Sequence, residues 1–343
     1  MQRRKRIHMI SVILACMLML ESPAVSMAAV QPEKSETVVM TSAAAAGTAS
    51  KTSGKVRMVI LAASGGVVKK KASADGTVVL PPDKNGKGYT FLGWSTRKNQ
   101  TGNPQYQAYE RIKLTKTIRL YPVRYYWNTE PDLDVSNLAD QLTNYSGVIF
   151  VGDSRTMMMK KTLERQYGSS VHKKVWFVDK SGEGLEWMRQ YGGKLLMNEL
   201  KGKTSKKSKP VAVIFNMGVN DLIHRNGKSI DYRSVVSQYT SYMNSLSKKL
   251  KKYNCKLFYM SVNPVNTAMK PTRKEAQLRY FNNRLQSGLN NRFQWIDTYK
   301  YLMKNGYSTY NAFRGNIDDG VHYSARTYKR IYKYCMNVIR NNT

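Results

Sequence analysis

The chain has 343 residues, room for more than one domain, and Lys plus Arg outnumber Asp plus Glu by 56 to 22, a formal charge of +34. Three cysteines exclude a disulfide framework and a zinc pattern. There is also no phosphate-binding Gly-rich loop with its lysine, no dinucleotide fingerprint and no His/Cys metal cluster, so neither a cofactor nor a metal is expected.

Arg3, Arg4, Lys5 and Arg6 precede an apolar run from Met9 to Leu20, and Ser26-Met27-Ala28 offers small residues for cleavage. This predicts a secretory signal peptide over residues 1–28. The run is short for a bilayer span, and no later stretch is long and apolar enough to be one. An uncleaved signal acting as an anchor and lipidation of Cys16 are the alternatives. Four positive charges and Glu21 leave with residues 1–28, so +34 becomes +31. Export argues against nucleic acid as the partner. Anionic cell-wall polymers, membrane surfaces or acidic glycans suit a secreted basic chain, and a merely soluble lysine-rich face accounts for the charge equally well. Cys255 and Cys335 remain in the mature chain and are expected as buried free thiols, with their pairing left open.

Residues 29–54 are rich in Ala, Ser, Thr and Gly and cannot bury a core, which predicts a flexible linker. From Lys55 the pattern changes. Val56, Met58 and Ile60 alternate as in a strand, and Ser64-Gly65-Gly66 is a turn. Val78 to Leu80, Tyr89 to Trp94 and Ile118 to Val123 read as further short strands of a small β-rich domain over 55–125. Its Gly65-Gly66, Leu80-Pro81, Gly88-Tyr89-Thr90-Phe91-Leu92-Gly93-Trp94 and Leu120-Tyr121 resemble the Listeria–Bacteroides repeat of internalin B-type surface proteins. That resemblance implies a β-grasp-like module with a spacer or adhesive role.

Residues 126–145 read as a connector. Beyond it, apolar runs at Val148–Val151, Val175–Val178, Val211–Phe215, Leu257–Met260 and Phe293–Ile296 alternate with helical stretches. One ends near Gly168, one carries Val235, Tyr239, Tyr242, Leu246 and Leu250, and one spans about Leu278 to Leu289. The last starts at Ser324, a good N-cap, with Tyr328, Ile331, Cys335 and Val338 inward. Strand–helix alternation over 146–343 predicts a parallel sheet with helices on both faces, a three-layer α/β/α sandwich. Ligands bind such sheets at the carboxyl ends of the strands.

Four segments fall on that rim: Gly152-Asp153-Ser154, Ser181-Gly182-Glu183-Gly184, Gly218-Val219-Asn220-Asp221 and Asp319-Gly320-Val321-His322. A serine hydroxyl needs an adjacent base, and histidine is the usual one. Of the mature chain's histidines, His172 precedes a strand and sits at the wrong end, and His224 lacks a placed carboxylate, since Asp221 reads as a turn cap. His322 has Asp319 three residues earlier, with Gly320 permitting a tight turn, so Asp319 can orient the ring toward Ser154. Asp318 is expected to be a solvated or capping acid. Attack on an ester makes an oxyanion, for which the Ser154 N–H, a glycine N–H (Gly182 first, Gly184 as the alternative) and the Asn220 side-chain amide are the donors. Met157, Met158 and Met159 are expected to pack under the sheet rather than to line an acyl pocket.

Together the four segments resemble the SGNH (GDSL-type) hydrolase superfamily, named for the Ser, Gly, Asn and His of its blocks. Over about 146–343 this implies a flavodoxin-like α/β/α fold and ester hydrolysis without metal or cofactor. The family's leucine after the nucleophile is Arg155 here, a cation expected to favour a polar or anionic substrate over a long acyl chain. The expected substrate is a small ester or an acylated glycan carrying short acyl groups such as acetyl. An O-acyltransferase using the same triad and an inert wall-associated binding protein are the alternative functions.

Overall fold

A computed structural model describes residues 56–84, 86, 88–223, 230–311 and 317–342. The expected signal peptide with Cys16, the expected linker and His224 lie outside the described residues.

The β-rich module begins with β1 (Met58–Ala63), β2 (Gly66–Lys71), β3 (Thr77–Val79), β4 (Tyr89–Ser95), β5 (Arg111–Lys113) and β6 (Ile118–Tyr126). Four of these form a sheet in the order β2-β1-β6-β4, with β1 and β6 parallel at its centre, and β3 pairs with β5. The Gly-Trp of the repeat signature has a structural cause. The β4–β6 register shifts between Phe91 and Gly93, and Gly93 takes φ +146° with Tyr106 O 2.4 Å from where a Cβ would stand. The bulge turns Trp94 into the core, where its Nε1–H donates to Pro81 O at 2.7 Å.

The hydrolase unit places β7 (Gly147–Gly152), β8 (Val175–Asp179), β9 (Val211–Asn216), β10 (Cys255–Met260) and β11 (Phe293–Ile296) in the order β11-β10-β9-β7-β8, all parallel. Side chains alternate across the sheet. Val148, Phe150, Ala212, Ile214, Phe258 and Met260 join one apolar layer, and Ile149, Val151, Val213, Phe215, Leu257 and Tyr259 join the other. The first layer is covered by α1 (Ser154–Tyr167) and later helices. The second is covered by α2 (Leu185–Trp187), α3 (Gly193–Lys203), α4 (Tyr232–Lys249) and α5 (Glu275–Gly288). Short α6 (Thr298–Asn305) and the C-terminal α7 (Ala325–Asn341) complete the first layer, while β12 (Tyr310–Asn311) pairs with β13 (Ile317–Asp318). Ser324 caps α7 by accepting from Thr327 N–H. Among the described residues no helix is long and apolar enough to cross a membrane.

One local expectation changes. Residues 126–145 are more than a connector: Val135, Leu138, Ala139, Leu142 and Tyr145 pack into the first apolar layer. Cys255 and Cys335 are both free. Met158 and Met159 are buried in the first layer with Met157 packed against it, as expected for packing.

Candidate active site

The chain runs from β7 to β8 on one side and returns to β9 on the other, so the strand order reverses between β7 and β9. That reversal opens a crevice at their carboxyl ends. Ser154 follows β7 and Asn220 follows β9. Gly152 is required at the exit of β7, because a Cβ there would lie 2.0 Å from Thr156 Oγ1 and 2.6 Å from Asn216 O. Asp153 caps α1 by accepting from Arg155 N–H at 2.9 Å, which makes Ser154 the first helical residue. Its N–H therefore belongs to the helix's unpaired, partially positive end. Burial lifts the Asp153 carboxyl to about 6, against the pull of Arg155.

The Asp319–His322 turn is built by its own carboxylate. Asp319 Oδ1 accepts from the backbone N–H of Val321 at 2.9 Å and of His322 at 2.8 Å. Gly320 takes φ +72°, and Asn266 O stands 2.9 Å from where its Cβ would be, so both conformation and space call for glycine. Asp319 Oδ2 lies 2.7 Å from His322 Nδ1, and His322 Nε2 lies 2.8 Å from Ser154 Oγ. Burial would raise the Asp319 carboxyl, but the hydrogen bonds from the His322 ring and the two backbone amides outweigh it. They hold the carboxyl well below the usual range. An ionised Asp319 can only accept, so Nδ1 carries the proton and Nε2 is free to accept from the serine hydroxyl. Asp318 turns the other way. It accepts from Thr309 Oγ1 at 2.6 Å and from Gly320 N–H at 3.0 Å, a capping acid.

The line from carboxylate through imidazole to a serine at a helix start is the arrangement that activates a hydroxyl for acyl transfer. Residues 129–335 match the family model described as GDSL-like Lipase/Acylhydrolase. The chain belongs to this family, and it is a serine ester hydrolase. Residues 58–123 match the Listeria-Bacteroides repeat domain. A comparison with curated proteins gives no match. Among solved structures, a lipase/acylhydrolase from Enterococcus faecalis has 14% identity and a TM-score of 0.39, covering 57% of this chain and 96% of its own. A GDSL-like lipase from Bacteroides thetaiotaomicron has 15% identity and a TM-score of 0.39, with 58% and 89% covered. An acetyl xylan esterase from Geobacillus stearothermophilus has 14% identity and a TM-score of 0.35, with 57% and 97% covered.

The remaining residues of this GDSL hydrolase's site divide sharply. Asn220 Nδ2 donates to Glu183 O at 2.9 Å, which joins the third rim segment to the second. Gly184 stands against that junction, with Asp221 Oδ1 2.3 Å from where its Cβ would be. Asp221 in turn accepts from Leu185 N–H at 3.2 Å and from the Tyr239 hydroxyl at 2.5 Å, so it caps α2. Gly182, the first choice from sequence, takes φ +77° at an exposed position with nothing within 4 Å of a Cβ. The packing therefore favours Gly184, at the N-cap of α2, over Gly182. His172 lies away from the rim and bonds Glu164 Oε1 at 2.8 Å.

Arg155 corrects an expectation. Its side chain is buried rather than directed at substrate: Nε donates to Val321 O at 3.0 Å, Nη1 to Asn263 O at 2.8 Å and Nη2 to Pro264 O at 3.2 Å. Three backbone acceptors take its donors, so it ties α1 to the loop after β10 and to the histidine turn. Arg273 was missed. This buried arginine donates Nε to Val219 O at 3.1 Å and Nη2 to Asn220 Oδ1 at 3.4 Å, which orients the Asn220 amide. No local pattern marks it, because the contact joins residues 53 positions apart.

Proposed function

We propose that this chain is a secreted esterase that removes short acyl groups, acetyl foremost, from cell-wall or other glycans. The reading is carried by one observation, the unbroken path from Asp319 Oδ2 through His322 to Ser154 Oγ at 2.7 and 2.8 Å. Ser154 Oγ attacks the ester carbonyl carbon and gives its proton to His322 Nε2, while Asp319 holds the imidazolium. The carbonyl oxygen becomes an oxyanion held by the N–H groups of Ser154 and Gly184 and by the second N–H of Asn220. Collapse expels the glycan alcohol, which takes the proton from Nε2 and leaves an acyl-serine. A water then gives its proton to His322 and attacks the acyl carbon, releasing carboxylic acid and restoring Ser154.

Short acyl groups are supported by the packing of Met157, Met158 and Met159. These apolar side chains lie three to five residues after the nucleophile, yet Met158 and Met159 join the core with Met157 packed against it, rather than lining the rim. Glycans and export are supported by the basic N-terminal segment, the high positive charge and the attached surface-type repeat. The mature protein should hydrolyse p-nitrophenyl acetate, and Ser154→Ala should lower kcat by on the order of 10³-fold or more. Unchanged turnover in that variant removes Ser154 as nucleophile.

A further inference from the structure

A concavity of about 430 Å³ lies between the β-rich module and the hydrolase unit. The module supplies Tyr109 and Arg111, the loop leading into α5 supplies Arg273 and Lys274, and α5 itself supplies Arg279. This second wall is shared with the reaction site. Arg273 holds Val219 O and Asn220 Oδ1 from the same loop, and Asn266, earlier in it, donates its N–H to Gly320 O at 2.9 Å. Through Arg273, a molecule in the groove therefore sits one side chain away from the Asn220 amide.

The lining has four cations against two acids, Glu110 and Glu275. A concave wall of one excess sign concentrates its field on whatever enters. Tyr109 adds a different feature. It takes φ +63°, a left-handed backbone unusual for a bulky residue, and its N–H donates to Leu80 O at 2.8 Å. That strained conformation leaves the residue 45% exposed at the mouth of the groove. An exposed phenol ring offers an apolar face with a polar tip, suited to the C–H face of a sugar. Guanidinium forks match carboxylates.

We propose that this groove is the subsite for the glycan chain bearing the scissile ester, and that it takes an acidic polysaccharide with a sugar ring on Tyr109 and carboxylates on Arg111 and Arg279. The proposal rests on the reading of the chain as a glycan esterase. On this view the repeat module is part of the substrate-binding surface rather than a spacer.

The test measures binding of soluble polygalacturonate to the Ser154→Ala protein by calorimetry near 0.15 M salt, where no turnover confuses the signal. Tyr109→Ala with Arg111→Ala on one wall, and separately Arg279→Ala on the other, should each weaken binding about tenfold. All three residues are exposed, and thermal melts of each variant establish that it is folded. Lys251→Ala with Lys252→Ala removes two charges before β10, at the amino end of the sheet, and should change affinity less than twofold. Equal losses in this control would mean that the net charge alone attracts the polymer, and the proposal fails. It fails too if inorganic polyphosphate binds as tightly and with the same dependence on the groove residues, or if no binding is seen at millimolar polymer. Hydrolysis of p-nitrophenyl acetate by the unsubstituted protein tests the esterase reading separately. Turnover without groove-dependent binding removes only the subsite, whereas no turnover removes the esterase whatever the polymer does.

Discussion

Arg155 and Glu275 are charged side chains that the fold takes out of water, with opposite consequences. Arg155 meets three backbone carbonyls, so its donors are matched and it fixes loops around the serine. Glu275, at the start of α5, accepts from the Tyr299 hydroxyl but has no such set of donors among the described residues. Burial raises its carboxyl to about 7 from an ordinary 4.5, and the attraction of Arg279 and Arg155 only partly offsets this. The folded chain therefore keeps a proton that the unfolded chain has released between those two values. That proton's contribution to stability is complete below pH 4.5 and is lost as pH rises through about 7. Glu275→Gln keeps an acceptor for Tyr299 and cannot ionise. Its stability relative to the parent should grow by about 2–3 kcal/mol between pH 4.5 and pH 8. Denaturant unfolding of both proteins at the two pH values measures this, and a gap independent of pH would show that Glu275 ionises normally in the fold.

At the scale of elements, the short helix α2 decides which glycine serves the site. Its N-cap, Gly184, has an extended φ of −140° that any residue could adopt, so only space excludes a side chain there. A Cβ would press on the Asp221 carboxylate and part the second rim segment from the third. Gly184→Ala should lower kcat for p-nitrophenyl acetate by roughly 10²-fold through a displaced donor. Gly182→Ala meets open space and should cost about 1–2 kcal/mol of backbone strain with activity within a few-fold. The reverse ranking would return the donor to Gly182. Sequence ranked Gly182 first because the contact that favours Gly184 comes from Asp221, 37 positions away from it. Other elements were legible in proportion to how they are buried. Strands β7, β9 and β10 are covered on both faces and read as continuous apolar runs, while α4, α5 and α7 carry one apolar stripe each. Strand β2, Gly-Val-Val-Lys-Lys-Lys, is an edge strand with almost every residue exposed, so no alternation marks it. The eight residues of α6 bury only Thr298 and Leu302, too few to show a period. The Asp319–His322 spacing was readable because the turn is closed by its own residues. Arg273 and Glu275 act across long loops and were not.

For the whole molecule, the family boundaries near residue 125 do not coincide with a physical seam. Gly54–Thr343 is one compact unit, and Leu92 and Val123 of the β-rich module belong to the same apolar cluster as Val148, Phe150 and Tyr328 of the hydrolase. Polar contacts follow the same junction. Asn103 donates its N–H to Met303 O at 2.7 Å, and Arg330 Nη1 reaches Glu130 Oε1 at 3.0 Å and Tyr125 Oη at 2.7 Å. Gly306, with φ +76°, lies against the Tyr125 ring, which would be 2.1 Å from a Cβ. Unfolding the module alone would expose this shared core, take the Tyr125 hydroxyl from Arg330 and uncover the largely buried Arg330–Glu130 pair beside it. Losing the packing of a buried leucine such as Leu92 costs about 2–5 kcal/mol, comparable with a small domain's entire stability. The module and the hydrolase should therefore melt together. Calorimetry of the mature chain should give one transition whose calorimetric and van't Hoff enthalpies agree, and Glu130→Ala should lower that single transition without dividing it. Two separated peaks, with the module melting first, would show that the shared cluster does not couple the two units, and would leave the groove between them without a fixed second wall.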